Sequence, residues 1–304
     1  MIVVVCPGQG SQTPGFLTPW LERDGARESL DVLSQAAGVD LLAAGTEWDA
    51  DAIRDTKVAQ PLIVAASILA WESLPLHENV GGVAGHSVGE IAALRAASVL
   101  TSDEAMRLVG VRGRAMADAA ALEPTGMSAV IGGDEAAVIA RLAELDLTPA
   151  NYNGAGQIVA AGALPALAEL SASPVPGTRV IPLQVAGAFH TRFMLPAVER
   201  LRDAADGIVP NDPDRLLWTN NDGSLIDSGE RALDLLVGQV AHPVRWDLCM
   251  ASFADHEVTG IIELTPAGTL TGLAKRALRG VPSVAVKTPD DLDAAAALLE
   301  GASA

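Results

Sequence analysis

The pentapeptide Gly85-His86-Ser87-Val88-Gly89 follows the apolar run Gly81-Gly82-Val83-Ala84 and precedes Glu90-Ile91-Ala92-Ala93-Leu94-Arg95-Ala96-Ala97, a segment of helical composition. A G-x-S-x-G sequence between a strand and a helix marks a nucleophile elbow, a turn that holds a serine hydroxyl at its tip. The flanking glycines let the chain turn sharply. The first N–H groups of the helix and its positive dipole end favour negative charge beside the serine. The chemistry this suits is nucleophilic attack on an acyl carbon. The plainer alternative is a glycine-rich turn carrying an idle serine.

A serine hydroxyl needs a base. The five histidines are His77, His86, His190, His242 and His256. His86 adjoins the serine, so its side chain is expected to point away from that of Ser87. His190 sits in Val185-Ala186-Gly187-Ala188-Phe189-His190-Thr191, a junction segment of the kind that borders a cleft. On this placement it competes with His242 and His256.

Arg112 falls in the middle of an apolar face formed by Ala105, Leu108, Val109, Ala115 and Met116 at helical spacing, with Arg107, Arg114, Asp103 and Asp118 on the opposite side. A lone arginine on an apolar face needs an anionic partner. That partner is either an internal carboxylate or the carboxylate of a substrate, which a planar guanidinium grips in bidentate fashion. Gln9 follows the first apolar run, where a neighbouring loop aims an N–H at the elbow. An oxyanion hole usually pairs such a group with the N–H after the nucleophile, here Val88.

The elements that position these residues are readable from hydrophobic patterning. Ile2-Val3-Val4-Val5-Cys6 reads as a buried parallel strand, broken by Pro7-Gly8. A helix is expected over 58–74, with Pro61 in its first turn. Thr101 and Glu104 form a capping-box pattern that starts a helix over 102–119. From about residue 124 the pattern becomes strand 127–132, helix 134–145, strand 157–161, helix 164–172 and strand 179–183, enough for a small inserted α+β unit. The larger pattern then resumes: helix 193–206, a strand at Trp218, helix 228–240, strand 260–264 and helix 269–278.

With 304 residues and 49% hydrophobic content, a sizeable core is expected. A net charge of −18 argues against nucleic acid or an anionic membrane as the main partner. Two cysteines are too few for a disulfide scaffold or a Cys-rich zinc site. No apolar stretch reaches the roughly 20 residues that span a bilayer, and residues 1–6 lack the features of a signal peptide. The expectation is a cytoplasmic protein with reduced thiols, monomeric by default.

Taken together, the ordered set Pro7-Gly8-Gln9-Gly10-Ser11-Gln12, Gln60-Pro61, Gly85-His86-Ser87-Val88-Gly89-Glu90, Arg112-Gly113, Asn151-Tyr152-Asn153, Gly187-Ala188-Phe189-His190, Pro243-Val244-Arg245-Trp246 and Leu270-Thr271-Gly272-Leu273 resembles the malonyl-CoA:acyl carrier protein transacylases and the acyltransferase domains of polyketide and fatty acid synthases. The resemblance covers nearly the whole chain. It implies an α/β-hydrolase-like core over 1–123 and 189–304 with an inserted ferredoxin-like subdomain over 124–188. It further implies Ser87 as nucleophile, His190 as base, and the Gln9 and Val88 N–H groups as oxyanion hole. Arg112 becomes the malonyl carboxylate clamp, with Gln60 and Met116 lining the acyl pocket. The family histidine is oriented by a backbone carbonyl from the Pro-Val-x-Trp region. Here that region begins His242-Pro243, where many relatives carry Asn-Pro. In the modular synthase domains of the family a Phe before the histidine, as at Phe189, goes with malonyl over methylmalonyl, whereas many stand-alone relatives have a smaller residue; the implied steric discrimination is about 1–3 kcal/mol.

The resemblance implies ping-pong transfer from a coenzyme A thioester to an acyl carrier protein, in fatty acid or polyketide synthesis, with no metal or redox cofactor. An acidic carrier needs a local cationic dock on this acidic chain. Lys275, Arg276 and Arg279 are one candidate, although cations also simply suit a helix C-terminus. Two other readings share these features. A serine hydrolase or thioesterase also uses an elbow, but its base comes late in the chain, at His242 or His256. A non-catalytic carrier-protein or CoA-binding module would form no acyl-enzyme.

Overall fold

The structure, a computed structural model, describes residues 1–301. It is a mixed α/β protein with two sheets. Ten strands are present among the described residues: β1 (Ile2–Cys6), β2 (Gly82–Gly85), β3 (Thr125–Gly132), β4 (Thr148–Gly154), β5 (Gln157–Ala163), β6 (Thr178–Pro182), β7 (Leu216–Trp218), β8 (Leu225–Ile226), β9 (Gly260–Glu263) and β10 (Ser283–Ala285). The larger sheet runs β10-β9-β1-β2-β7-β8. Its strands are parallel except β8, which pairs antiparallel with β7. Helices cover both faces, so β1 and β2 are buried along their whole length, as the unbroken apolar run of residues 2–6 requires.

The register of this sheet builds the site. Val5 pairs with Ala84 and Cys6 with Gly85, so β1 and β2 end side by side. The loop carrying Gln9 and the turn carrying Ser87 therefore leave the same edge, the carboxyl end of a parallel sheet, where ligands bind in open α/β sheets. β7 flanks β2 on the other side and delivers Asn220 to the same edge.

The smaller sheet runs β4-β5-β3-β6, antiparallel throughout, with the helices Glu135–Glu144 and Leu164–Ala172 interleaved in sequence. β4 is absent from the sequence expectations. It holds Pro149 and polar residues, which the edge of a sheet tolerates, and it lies at that edge. It also ties the smaller sheet to the larger unit: the Tyr152 N–H donates to the Val244 carbonyl at 2.9 Å and the Val244 N–H to the Ala150 carbonyl at 2.9 Å.

The elements that the sequence did predict lie close to their expected spans, with two corrections, while the Ala26–Ala37, Leu41–Thr46, Trp246–Asp255 and Leu292–Gly301 helices and the strands β8 and β10 have no counterpart among those expectations. The Thr56–Ser73 helix begins earlier than expected because the Asp55 carboxylate caps the Lys57 N–H, so Pro61 lies inside the helix and not in its first turn. The segment expected to be one helix over 193–206 is a 3₁₀ turn, Arg192–Met194, leading into the Leu195–Ala205 helix. The Ser102–Ala120 helix starts at the expected capping box of Thr101 and Glu104. Gly113 lets it approach the Thr56–Ser73 helix, since a Cβ there would lie 3.0 Å from the Thr56 carbonyl. That contact brings Arg112 within reach of Gln60. Among the described residues no helix is long and apolar enough to cross a membrane, and Cys6 and Cys249 are free and buried.

Candidate active site

The elbow forms as its residues dictate. A Cβ on Gly85 would lie 2.1 Å from the Gly89 carbonyl carbon, and one on Gly89 would lie 2.2 Å from the Cys6 carbonyl oxygen. Only glycine fits either position. Ser87 takes φ = +53°, the left-handed region that non-glycine residues seldom occupy. Asn220 holds it there: its Oδ1 accepts the Ser87 N–H at 2.7 Å and its Nδ2 donates to the Gly85 carbonyl at 2.7 Å. Strain kept in place by surrounding hydrogen bonds is characteristic of functional turns.

His190 also has a positive φ, +61°. Its N–H donates to the Val240 carbonyl at 3.0 Å, and the adjoining Ala188 N–H donates to Thr125 Oγ1 at 3.0 Å. These bonds aim the buried imidazole at the elbow, where Nε2 lies 2.7 Å from Ser87 Oγ. Nδ1 lies 2.8 Å from the Gln239 carbonyl. A carbonyl only accepts, so Nδ1 carries the proton and Nε2 presents its lone pair to the serine. The nearest orienting carbonyl is that of Gln239, and the backbone of His242, at the step to which the sequence pointed, acts on the ring in the same sense but more weakly. Burial, and next the Arg112 charge, push His190 down to about 3, so the ring is neutral at ordinary pH. His242 and His256 are exposed and bond within their own helical turns. His86 turns away from Ser87, as expected, to meet Asn153 Oδ1 at 3.0 Å and the edge of Trp246.

Arg112 is fully buried, yet no carboxylate lies within ion-pair distance of it. Its acceptors are neutral: Gln60 Oε1 at 2.7 Å, Gln239 Oε1 at 2.8 Å and Ser87 Oγ at 3.3 Å. The internal salt bridge open at the sequence level is not formed. The Nε–H of Arg112 has no hydrogen-bond partner among the described residues. Gln60 is itself steered by Met116, whose sulfur lies 3.4 Å from Nε2. Phe189 is buried beside His190. The Gln9 and Val88 backbone N–H groups find no acceptor among the described residues, as donors reserved for a ligand would not.

Sequence reasoning missed three residues. Glu90 is buried at the start of the Gly89–Ala96 helix. Its carboxylate accepts from the Asn220 N–H and from Gln239 Nε2. Gln239 thus bridges Glu90 to Arg112 while its backbone carbonyl holds His190. Burial pushes Glu90 up to about 8, against the pull of the Asn220 N–H and of Arg112.

Residues 3–293 match the family described as acyl transferase domain. The chain belongs to this family. A Mycobacterium tuberculosis protein named malonyl CoA-acyl carrier protein transacylase is 54% identical over 297 residues, 96% of this chain and 98% of that protein. The crystal structure of the Mycobacterium tuberculosis enzyme MCAT superposes with a TM-score of 0.94 at 53% identity, covering 97% of this chain and 99% of that one. A complex of a type II PKS acyl-carrier protein with its malonyl-transacylase matches with a TM-score of 0.90 at 30% identity, covering 99% of each chain. Within this acyl transferase the serine, histidine and arginine singled out from sequence meet at one point, whereas Lys275, Arg276 and Arg279 lie elsewhere. Those three are exposed at the end of the Thr269–Ala277 helix, and none forms an ion pair among the described residues.

Proposed function

We propose that this chain transfers a malonyl group from malonyl-CoA to the phosphopantetheine thiol of holo acyl carrier protein through a malonyl-Ser87 intermediate. The observation that carries the reading is the convergence on one atom: Ser87 Oγ has the His190 lone pair at 2.7 Å and a buried guanidinium at 3.3 Å. His190 takes the Ser87 proton as Oγ attacks the thioester carbon. The N–H groups of Gln9 and Val88 receive the oxyanion. The C–S bond breaks, the proton passes from His190 to the coenzyme A sulfur, and malonyl-Ser87 remains. The carrier thiol then reverses these steps. The acyl group passes between thioester and ester without an external energy source, so the reading needs no metal or redox cofactor.

Arg112 selects the acyl group. Its guanidinium, held by the neutral acceptors Gln60 and Gln239, keeps its charge for a substrate carboxylate, and fixing the acyl chain positions the reacting carbon. Gln60, Met116 and Phe189 bound the acyl pocket, with Phe189 crowding an α-methyl branch. The same reading describes the architecture as an α/β-hydrolase-like core, residues 1–123 and 189–304, with a ferredoxin-like subdomain over 124–188; the strand order of the smaller sheet supports it. It places the protein in the cytoplasm, as a monomer, supplying fatty acid or polyketide synthesis.

Lys275, Arg276 and Arg279 are the proposed dock for the acidic carrier. Lys275→Glu with Arg276→Glu is expected to raise the KM for carrier protein about tenfold, the loss of a few rim charges, while malonyl-CoA loading stays unchanged. Steady-state kinetics with the carrier varied checks this, and an unaltered KM rejects the dock.

The reading is tested by intact-protein mass spectrometry after mixing with malonyl-CoA, with Ser87→Ala as control, followed by holo acyl carrier protein. The expected result is a malonyl adduct that requires Ser87 and moves to the carrier. An adduct lost equally fast to water without carrier means a thioesterase. No adduct with malonyl-CoA or acetyl-CoA means a binding module.

A further inference from the structure

Glu90 is a buried carboxylate with no place in the acyl-transfer steps. It sits one residue pair behind Arg112: Glu90 to Gln239 Nε2, then Gln239 Oε1 to Arg112 Nη2 at 2.8 Å. When Glu90 is ionised, the Arg112 charge and the Glu90 charge balance within the core. A malonyl carboxylate laid on Arg112 would add a second buried anion facing the same cation. Isolated buried charge is expensive, and a buried group that can shed its charge does so.

Glu90 also has its own route to water. A cavity of about 130 Å³ reaches it. The lining includes Thr219, Asn221, Asp234 and His242 together with Gln239, but neither Ser87 nor His190. Asn221, Asp234 and His242 are exposed. The cavity is several times larger than one water requires, and Thr219, Asn221, Gln239 and His242 offer polar groups along it, so a proton can reach Glu90 while the acyl pocket is occupied.

Resting on the acyl-transfer reading, we propose that Glu90 is the charge-compensating group of this site: it holds a proton whenever a carboxylated acyl group occupies Arg112. The proton comes from bulk water through the cavity and adds to a Glu90 oxygen. Where Glu90 of the empty site is ionised, it returns the same way when the malonyl group leaves for the carrier. One Glu90 oxygen keeps the Asn220 N–H, and the other takes the proton while still accepting from Gln239 Nε2. Glu90 is thus a positioning residue for selectivity, acting through Gln239 and Arg112.

The charged and titratable groups around Glu90 leave no other candidate. Arg112, from the Ser102–Ala120 helix, favours its ionised form. His190 is held neutral, and the Cys249 thiol, from the Trp246–Asp255 helix, is pushed well up by burial. Asp234 lies at the solvent end of the cavity, paired with Arg202 at 3.0 Å, and His242 stands at the exposed mouth. Glu90 of the empty site titrates at about 8. Below that pH it already carries the proton, and above it the proton must be taken up on loading.

The experiment mixes enzyme with malonyl-CoA in weak buffer containing a pH indicator, counts protons, and measures loading in the same sample by mass. The titration of released coenzyme A is subtracted. Uptake is expected at about a tenth of a proton per malonyl-enzyme at pH 7, rising toward one at about pH 9. Loading with acetyl-CoA, which brings no carboxylate, is expected to take up none at either pH. Glu90→Gln is expected to load malonyl without uptake. Full loading of the wild-type enzyme with no malonyl-specific uptake near pH 9 overturns the proposal, as does equal uptake with acetyl-CoA or undiminished uptake in a folded Glu90→Gln. If Glu90→Gln does not fold, the malonyl–acetyl comparison on the wild type decides alone. Absence of any adduct overturns the acyl-transfer reading itself, and is told apart by the mass measurement.

Discussion

Replacing His190 by alanine is expected to slow acylation of Ser87 about 10²–10⁴-fold, the contribution of a positioned general base. Rapid-quench measurement of malonyl-enzyme formation checks it. The KM for malonyl-CoA is expected to change little, because His190 touches the Ser87 hydroxyl and the Gln239 carbonyl, and neither bond holds the acyl group. The pH dependence is the sharper readout. Burial and the neighbouring Arg112 charge push His190 down to about 3. The base of the free enzyme is therefore unprotonated throughout the mildly acidic range. The kcat/KM for malonyl loading is expected to be flat between about pH 5 and 7, where a histidine of ordinary pKa near 6.5 would give a fall of about 25-fold. Glu90 does not disturb that window, since it stays protonated below about 8. The linked effect on stability has a definite sign. A depressed folded-state histidine means that the unfolded chain binds the extra proton, so this group's contribution to stability rises with pH between about 3 and the ordinary value. An activity limb centred near 6.5 would show that the base is not this buried ring, or that it is not buried during turnover.

The residues that meet at Ser87 differ in how visible they are in the sequence, and the difference is physical. Ser87 announces itself because a strained turn demands glycine on both sides, which fixes a local pattern. Arg112 is visible because a charge in an apolar helical stripe violates the period of that helix. His190 stands out only through its place at a junction between two patterned regions. Glu90, by contrast, looks like any acidic residue in the first turn of a helix, where the dipole alone would justify it. Gln239 ends an ordinary amphipathic helix, and Asn220 follows a three-residue strand. Each gains its role from pairing across more than a hundred residues of chain with the elbow, which no local signal encodes. The carbonyl that orients His190 is a backbone group and has no residue identity to read at all. β4 was missed for a related reason. Its sequence, with proline and asparagines, is poor for a central strand, and only the pairing with β5 and Val244 makes it one.

Arg112→Ala is expected to cut kcat/KM for malonyl-CoA about 10²–10³-fold while leaving acetyl-CoA loading unchanged or raised. Truncating one member of a buried, hydrogen-bonded charge pair costs about 2–5 kcal/mol, and here the missing partner is the malonyl carboxylate. The acetyl group has no carboxylate to lose. It meets instead a site relieved of a buried cation whose protein acceptors are all neutral. The Arg112 charge is also the second cause of the low His190 value, so its removal makes the ring a stronger base. Both consequences act in the same direction for a neutral acyl group. In the malonyl reaction the substrate carboxylate itself offsets the Arg112 field, which ties selection of the acyl group to activation of the base. Loading rates with the two thioesters, measured side by side on a variant whose thermal unfolding shows it to be folded, separate the possibilities. A malonyl-specific loss assigns the clamp. Equal losses with both substrates would mean that Arg112 serves only to hold Gln60, Gln239 and Ser87 in place.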